Sequence, residues 1–130
     1  MTINLYGIKT CGSVKKAITL LEKHEIPFIF IDLKQTSPSA KLIASWIDKK
    51  GIKIVLNTKG TTYKRLKSEG KIQDSMIIES KNAQKAQAEF LSQNPMLLKR
   101  PVIAYDKGLI IGYDESEILG LIHEYQSEKY

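Results

Sequence analysis

The sequence predicts an α/β protein with a mixed β-sheet, made of a βαβ start, a ββα finish and helices inserted between them. The N-terminal residues indicate a strand, a helix and a second strand, which is the order of a parallel βαβ unit. The C-terminal residues indicate two strands joined by a tight turn and followed by a helix. Between them, apolar residues recur at helical spacing. We therefore predict a single domain over residues 1–130, with a helical insertion roughly over residues 37–95.

The βαβ start is predicted from apolar patterning and one proline. Residues 3–6 form a short apolar strand, and residues 13–24 follow as a helix. Its buried stripe is predicted to contain Val14, Ala17, Ile18 and Leu21. Pro27 prevents the helix from continuing, and residues 28–31 form an apolar run typical of a strand covered on both faces. A crossover of this length is right-handed, so the two strands are predicted to be parallel.

The first inserted helix has signals at both ends. Ser37 is predicted to cap it, with Pro38 at its first position, and Gly51 is predicted to end it. A short apolar piece at residues 54–56 and a turn at residues 57–60 follow. The buried face of the helix is predicted to contain Leu42, Ile43, Trp46 and Ile47.

Two further helices are predicted in the middle of the chain. Thr61 or Thr62 caps a short helix that ends at Leu66, and a polar stretch follows it. A third helix covers residues 83–93 and stops at Asn94 and Pro95. Its inward face is predicted to contain Ala86, Phe90 and Leu91.

The last third of the sequence predicts a hairpin and a closing helix. Strands at residues 102–105 and 109–112 flank a turn at residues 106–108. Asp114, with Glu117 three residues later, resembles a capping box for a helix through about residue 124. The whole order, βαβ, helices, then ββα, is that of a thioredoxin-like domain.

Composition excludes several classes of protein. The net charge is +6, but the lysines are spread along the chain and no nucleic-acid-binding motif is visible, so no direct nucleic-acid partner is expected. No apolar stretch approaches the roughly 18 residues of a membrane span, and no signal peptide is expected. One cysteine excludes an internal disulfide and a multi-cysteine metal site. We expect a cytoplasmic monomer with no bound metal or cofactor.

The single cysteine, Cys11, lies between the predicted first strand and the predicted first helix. A thiol at a helix N-terminus faces free backbone N–H groups and the positive end of the helix dipole. Both favour the thiolate, which is the nucleophilic form. Cys11 is therefore predicted to be a reactive nucleophile, and the alternative is a small buried hydrophobic residue.

The segment before the hairpin is predicted to lie near Cys11, because these two turns meet in a thioredoxin-like fold. Arg100 is the best candidate for an anion contact, since a guanidinium binds oxyanions and carboxylates through two N–H groups. Pro101 is predicted to follow a cis peptide bond. The alternatives are a surface arginine and an ordinary proline at a strand edge.

Four other residues are candidates for binding a substrate anion. Lys9 adds positive potential beside the thiol, and Gly12 lets a ligand approach the backbone closely. Ser13 offers a hydroxyl group, although it is more simply the helix N-cap. Lys59 lies in a Thr-Lys-Gly-Thr-Thr turn that lacks the spacing of a P-loop, so nucleotide binding is not expected. His24 and His123 are each predicted near a helix C-terminus, outside any metal site.

Four segments together resemble the arsenate reductase/Spx superfamily, and in particular its YffB-like branch. They are Leu-Tyr-Gly-Ile-Lys-Thr-Cys at residues 5–11, Lys-Lys-Ala at residues 15–17, Leu-Asn-Thr-Lys-Gly-Thr-Thr-Tyr-Lys-Arg-Leu at residues 56–66, and Asn-Pro-Met-Leu-Leu-Lys-Arg-Pro-Val-Ile at residues 94–103. The resemblance implies a thioredoxin-like domain with a helical insertion and a nucleophilic cysteine at Cys11. It also implies a small thiol or oxyanion substrate, with glutathione as co-substrate.

The resemblance leaves three functions open. The first is a glutathione-dependent thiol reductase of the YffB-like kind. The second is an Spx-like regulator that binds the RNA polymerase α subunit, without the Cys-x-x-Cys switch, because Val14 stands at the second cysteine position. The third is a glutaredoxin-coupled arsenate reductase. Those enzymes use three arginines, of which only Arg100 is matched here, while Thr58 and Tyr113 fall near the other two positions.

Overall fold

A computed structural model of the chain describes residues 1–129, which form two compact units. The first, which we call the sheet unit, comprises Met1–Asp32 and the chain from Arg100 onward. The second, the helical unit, comprises Leu33–Lys99. The strands are β1 (Asn4–Gly7), β2 (Ile29–Asp32), β3 (Val102–Tyr105) and β4 (Gly108–Ile111). The helices are α1 (Gly12–Lys23), α2 (Ala40–Lys50), α3 (Ile52–Val55), α4 (Thr61–Ser68), α5 (Gln84–Gln93) and α6 (Glu115–Lys129).

The sheet unit has the predicted mixed topology. Its four strands lie in the order β2-β1-β3-β4. Leu5 of β1 pairs with Phe30 in a parallel ladder and with Ile103 in an antiparallel one. The hairpin partner of Ile103 is Ile110 on β4. The βαβ start, the ββα finish and the mixed α/β class are thus confirmed.

One apolar core holds the sheet unit together. One residue each of β1, β3 and β4 contributes to it, and so do the apolar stripes of α1 and α6. Its buried members are Ile3, Leu5, Val14, Ala17, Leu21, Ile26, Ile103, Ile110, Ile118, Leu121 and Ile122. This core fixes the end of β1 and the start of α1, the two elements that flank Cys11.

Strand β2 corrects one prediction. Its apolar run indicated a strand covered on both faces, but β2 is an edge strand of the sheet. Ile29 is 55% exposed, and the other residues of the strand are half-buried. An edge strand has a neighbouring strand on one side only, so its side chains are less enclosed than those of a central strand, and no residue of β2 is fully buried.

The helical unit begins later than predicted. Ser39 caps α2 by accepting a hydrogen bond from Leu42 N (3.1 Å), so the prediction of a cap at Ser37 with Pro38 at the first position is wrong. Ser37 Oγ donates to Ser92 O instead, and Ser92 Oγ donates to Pro38 O (2.6 Å). The helix ends at Gly51 as predicted, where φ is +87°.

The short helices also differ in detail from the prediction. The piece at residues 54–56 is mostly helical, as the end of α3, before Leu56 pairs with Leu98. Helix α4 is capped by Gly60 without a side-chain hydrogen bond, so the threonine cap is wrong. On α5, Leu91 is buried as predicted and Phe90 is half-buried, but Ala86 is exposed and Gln87 is buried in its place.

The closing helix is capped as predicted. Asp114 Oδ1 accepts a hydrogen bond from Glu117 N (3.0 Å). The helix then runs to Lys129, several residues beyond the predicted end, so His123 lies inside α6 and not at its C-terminus. His24, in contrast, is the C-terminal cap residue of α1.

Candidate functional site

Cys11 occupies the N-cap position of α1. Its backbone is extended (φ −81°, ψ 126°), its N–H donates to Ile8 O (3.2 Å), and its carbonyl accepts from Lys15 N (3.0 Å). The Cys11 side chain makes no capping hydrogen bond to this helix. The first N–H groups of α1 have no partner within the helix and lie directly beside the thiol. This is the arrangement in which a thiolate or a bound anion is stabilised.

The predicted neighbours of Cys11 in the chain take different positions. Ser13 is the second residue of α1 and is exposed, so its predicted N-cap role is wrong. A Cβ atom added to Gly12 would meet no heavy atom within 4 Å, so Gly12 faces open space. Lys9 is exposed in the turn before the thiol. The Cys11 side chain itself is half-buried and packs against the sheet-unit core.

The Arg100–Pro101 segment lies at the same end of the strands as the turn that carries Cys11, because it precedes β3 and that turn follows β1. Val102, the first residue of β3, pairs with Tyr6, next to the last residue of β1. The Arg100–Pro101 peptide bond is cis, as predicted. Pro101 is buried, and its carbonyl accepts a hydrogen bond from Gly112 N (2.8 Å). Arg100 is half-buried and begins the second part of the sheet unit.

Lys59 belongs to the helical unit and is described apart from the other candidates. It is exposed in the turn before α4, and its N–H donates to Asn57 Oδ1 (3.3 Å). Thr58, near a position where the arsenate reductases have an arginine, is exposed in the same turn.

A basic groove on α1 was not predicted from the sequence. Lys16 Nζ lies 5.9 Å from the centre of the Tyr113 ring, a cation–π distance. Lys15, Lys23 and Leu20 line the same groove, whose volume is about 320 Å³. Tyr113 and Cys11 pack against the same core. Only the pairing of α1 with a residue after β4 creates this groove, so no local pattern could have revealed it.

Metal-binding clusters and membrane-spanning helices are absent from residues 1–129. Within them, no group of three or more His, Cys, Asp or Glu side chains is arranged to hold a metal ion. No helix in that range is both long and apolar enough to cross a membrane.

Comparison with known families decides the classification. The model of the ArsC family matches residues 6–121, which include the end of β1, Cys11 and all of the hairpin. The chain belongs to the ArsC family. The predicted membership of the arsenate reductase/Spx superfamily is thereby confirmed.

Two curated relatives within this superfamily are regulators by name. The regulatory protein MgsR of Bacillus subtilis is 30% identical over 122 residues, which cover 92% of this chain and 89% of MgsR. The global transcriptional regulator Spx of Listeria innocua is 29% identical over 120 residues, covering 89% of this chain and 83% of Spx.

Two solved structures are similar over nearly the whole chain. A YFFB protein superposes with a TM-score of 0.77 at 27% identity, covering 93% of this chain and 99% of its own. A possible arsenate reductase from Streptococcus mutans superposes with a TM-score of 0.71 at 25% identity, covering 92% and 98%. These similarities confirm the thioredoxin-like fold and the YffB-like resemblance.

Proposed function

We propose that this protein is a glutathione-dependent thiol reductase in which Cys11 is the nucleophile. The observation that supports it best is the position of the only cysteine, at the N-cap of a helix where its own side chain makes no capping hydrogen bond. The N–H groups of the first turn and the helix dipole stabilise the thiolate there, and the side chain is accessible enough to react. The solved YFFB and possible arsenate reductase structures support a reductase of this family.

The proposed cycle needs one protein thiol and two glutathione moieties. The Cys11 thiolate attacks the glutathione sulfur of a mixed disulfide, which forms a Cys11–glutathione disulfide and releases the substrate thiolate. A glutathione thiolate then attacks the glutathione sulfur of that intermediate and releases the Cys11 thiolate together with oxidised glutathione. The substrate disulfide is reduced and two glutathione moieties end as one disulfide. A second protein cysteine is not required, and the sequence has none.

We assign basic residues to the binding of the anionic substrate. Glutathione carries two carboxylates, and Arg100 is the proposed bidentate partner for one of them. The Lys16–Tyr113 pair is the proposed partner for the other. Lys9 and Lys59 stay predicted contributors of positive potential. Gly12, which has open space around it, lets the attacking glutathione approach the backbone of the helix start.

The test is steady-state turnover of a glutathione mixed disulfide by the wild type and three variants. Cys11→Ser is expected to reduce turnover to the uncatalysed rate. Arg100→Ala is expected to lower kcat/KM by about tenfold or more, because hydrogen bonds to charged groups contribute about 1.5–3 kcal/mol. Arg65→Ala is the matched control, since Arg65 is an exposed arginine of the helical unit that pairs with Glu69 (3.6 Å). Full activity of Cys11→Ser would refute the proposal.

A second candidate is an Spx-like regulator that binds the RNA polymerase α subunit. The relatives Spx and MgsR favour it, since each matches about nine-tenths of this chain and both are named as regulators. Because Val14 stands at the second cysteine position of the Cys-x-x-Cys switch, an intramolecular disulfide could not control such regulation. Val14 is also fully buried. Purified α subunit retained on the immobilised protein at micromolar concentration is the expected result. No retention, with a folded protein on the column, would exclude this function.

Arsenate reduction is the third function, and it is weakly supported here. A negatively charged transition state needs preorganised donors, and the loss of one such donor typically costs about 10²–10³ in rate. Tyr113 lies near the position of one of the three arginines, and the cation that contacts it is Lys16. A lysine ammonium is a point charge, whereas an arginine guanidinium donates two parallel hydrogen bonds to an oxyanion. Arsenate turnover with glutathione and glutaredoxin, abolished in Arg100→Ala, would establish this activity.

A further inference from the structure

A second concave site lies within the helical unit, away from the residues of the proposed reaction. It is a cavity of about 310 Å³ between the end of α2, the segment that precedes α5, and α5 itself. The residues that give it its chemistry are Asp48, Glu79, Lys81 and Gln87, with Ile52 and Ile78 as its apolar members. No part of the proposed thiol chemistry uses this cavity.

Gln87 gives the cavity a buried acceptor. Its side chain is 2% exposed, and Nε2 donates to Ile78 O (2.8 Å) and Ser75 O (3.1 Å). These carbonyl oxygens fix the orientation of the amide, because only the nitrogen can face them. The Oε1 atom is therefore left as an acceptor, and within residues 1–129 it receives no hydrogen bond. Buried polar atoms without a hydrogen-bond partner are rare in native proteins, and a bound donor is one explanation for them.

Two carboxylates lie on the same cavity. Asp48 is in the last turn of α2, and Glu79 extends over the junction of α2 and α3. A Cβ atom added to Gly51 would lie 3.3 Å from Glu79 Oε1, which locates that oxygen directly above the backbone of the junction. The ion pairs of the described chain involve other acidic residues, so Asp48 and Glu79 are unpaired there. This is notable in a chain with 20 basic and 14 acidic residues.

We infer that this cavity binds a small organic cation, a primary ammonium or guanidinium group on a short aliphatic chain. Such groups have only donors, and the site offers a buried amide oxygen and two carboxylates as acceptors. The aliphatic part fits against Ile52 and Ile78, of which Ile78 is 51% exposed without a ligand. Lys81 at the edge opposes the ligand charge, so the site favours one cationic group and not several.

The first test is a titration of the uniformly ¹⁵N-labelled protein with n-butylguanidinium, followed by NMR. The expected result is saturable shifts at residues 47–52 and 78–87, including the side-chain NH₂ signals of Gln87, with a dissociation constant of about a millimolar. Neutral n-butylurea, which has a similar shape, is the control ligand and is expected to bind at least about threefold more weakly. Equal binding of the two ligands, or no saturable shift at these residues, would overturn the inference.

Variants that change the charge of the cavity should change the affinity for n-butylguanidinium in a defined direction. Asp48→Asn and Glu79→Gln should each weaken n-butylguanidinium binding by about two- to fivefold, the range for exposed charge pairs. Lys81→Met should tighten it by a similar factor. Glu89→Gln, on the same helix as Gln87 but outside this cavity, should leave it unchanged. Weaker binding in Lys81→Met would contradict the inference, because the removal of a positive charge from a cation site should strengthen the binding of a cation. All four positions are exposed, so the fold is expected to survive each change.

A final arm separates a free ligand from a side chain of a partner. N-acetyl-arginine methylamide presents the same guanidinium group on a peptide backbone. Binding at least as tight as that of n-butylguanidinium would assign the cavity to a peptide arginine, whereas weaker binding would assign it to a free small molecule. Both results retain a cation site, and the loss of binding by both probes would remove it. Because the readout is binding and not turnover, failure of the proposed reductase activity would not affect this test.

Discussion

Gly7, at the end of β1, is expected to be intolerant of any side chain because α1 lies directly against it. A Cβ atom added there would lie 2.7 Å from Val14 Cγ2 and 2.9 Å from Val14 Cγ1. Val14 is fully buried, and a β-branched side chain in a helix has one strongly preferred rotamer, so it has little room to move away. Overpacking of this kind lowers the free energy of unfolding by about 1–3 kcal/mol. The lower entropy of the unfolded chain after Gly→Ala offsets about 0.4–1 kcal/mol of that cost. Gly7→Ala should therefore lower the free energy of unfolding by about 1–2 kcal/mol.

A double-mutant cycle makes this prediction specific. Val14→Ala alone should cost about 2 kcal/mol, because it removes two buried methyl groups and leaves a cavity. In the double variant the new methyl group at position 7 fills part of that cavity, so the two costs should not add. We expect the combined loss to be smaller than the sum by about 1 kcal/mol or more.

Urea unfolding followed by circular dichroism measures these free energies. Gly12→Ala is the matched control, because a Cβ atom at Gly12 meets nothing within 4 Å and no loss of stability is expected. Costs for Gly7→Ala and Val14→Ala that add to within about 0.3 kcal/mol would show that the two residues are not in steric contact. The packing that fixes the turn before Cys11 would then have to be explained differently.

Three other predictions concern the sheet unit. Gly120→Ala should raise the free energy of unfolding by about 0.5–1 kcal/mol, because Gly120 lies inside α6 with open space around it; unchanged urea midpoints would contradict this. Asp114→Ala should lower it by about 1 kcal/mol through loss of the cap to Glu117 N, whereas Asp114→Asn should retain most of it. Burial and the carboxylates of Glu124 and Glu117 raise the pKa of Tyr105. The Tyr105 hydroxyl therefore loses its proton at lower pH in the unfolded chain than in the folded one, and the free energy of unfolding should fall as pH rises through about 10. The fall should be less steep in Tyr105→Phe. Identical slopes of the free energy of unfolding against alkaline pH in the two proteins would refute this prediction.

Local signals in the sequence predicted the sheet unit well. The alternation in β1, the stripe of α1 and the cap at Asp114 each act within a few residues, and each fixes an element that the core then requires. The cysteine at the start of α1 and the cis bond before Pro101 followed from the same element order.

The helical unit was predicted less well because long-range hydrogen bonds decide its details. Ser37 was a plausible cap, but its hydroxyl bonds to Ser92, 55 residues away in the sequence. Gln87 is buried on α5 in place of Ala86 because its amide donates to carbonyls of the preceding segment. The Lys16–Tyr113 contact likewise joins residues that are distant in the sequence. None of these pairings has a local sequence pattern.

The most direct test of the account is to trap the proposed intermediate on Cys11. The protein is mixed with one equivalent of a glutathione mixed disulfide, without free glutathione, and analysed by mass spectrometry. The account predicts one glutathionyl group on Cys11, none on Cys11→Ser, and rapid loss of the adduct when glutathione is added. An unmodified Cys11, or an adduct that glutathione does not remove, would contradict the assignment of Cys11 as the nucleophile of a glutathione-dependent reductase.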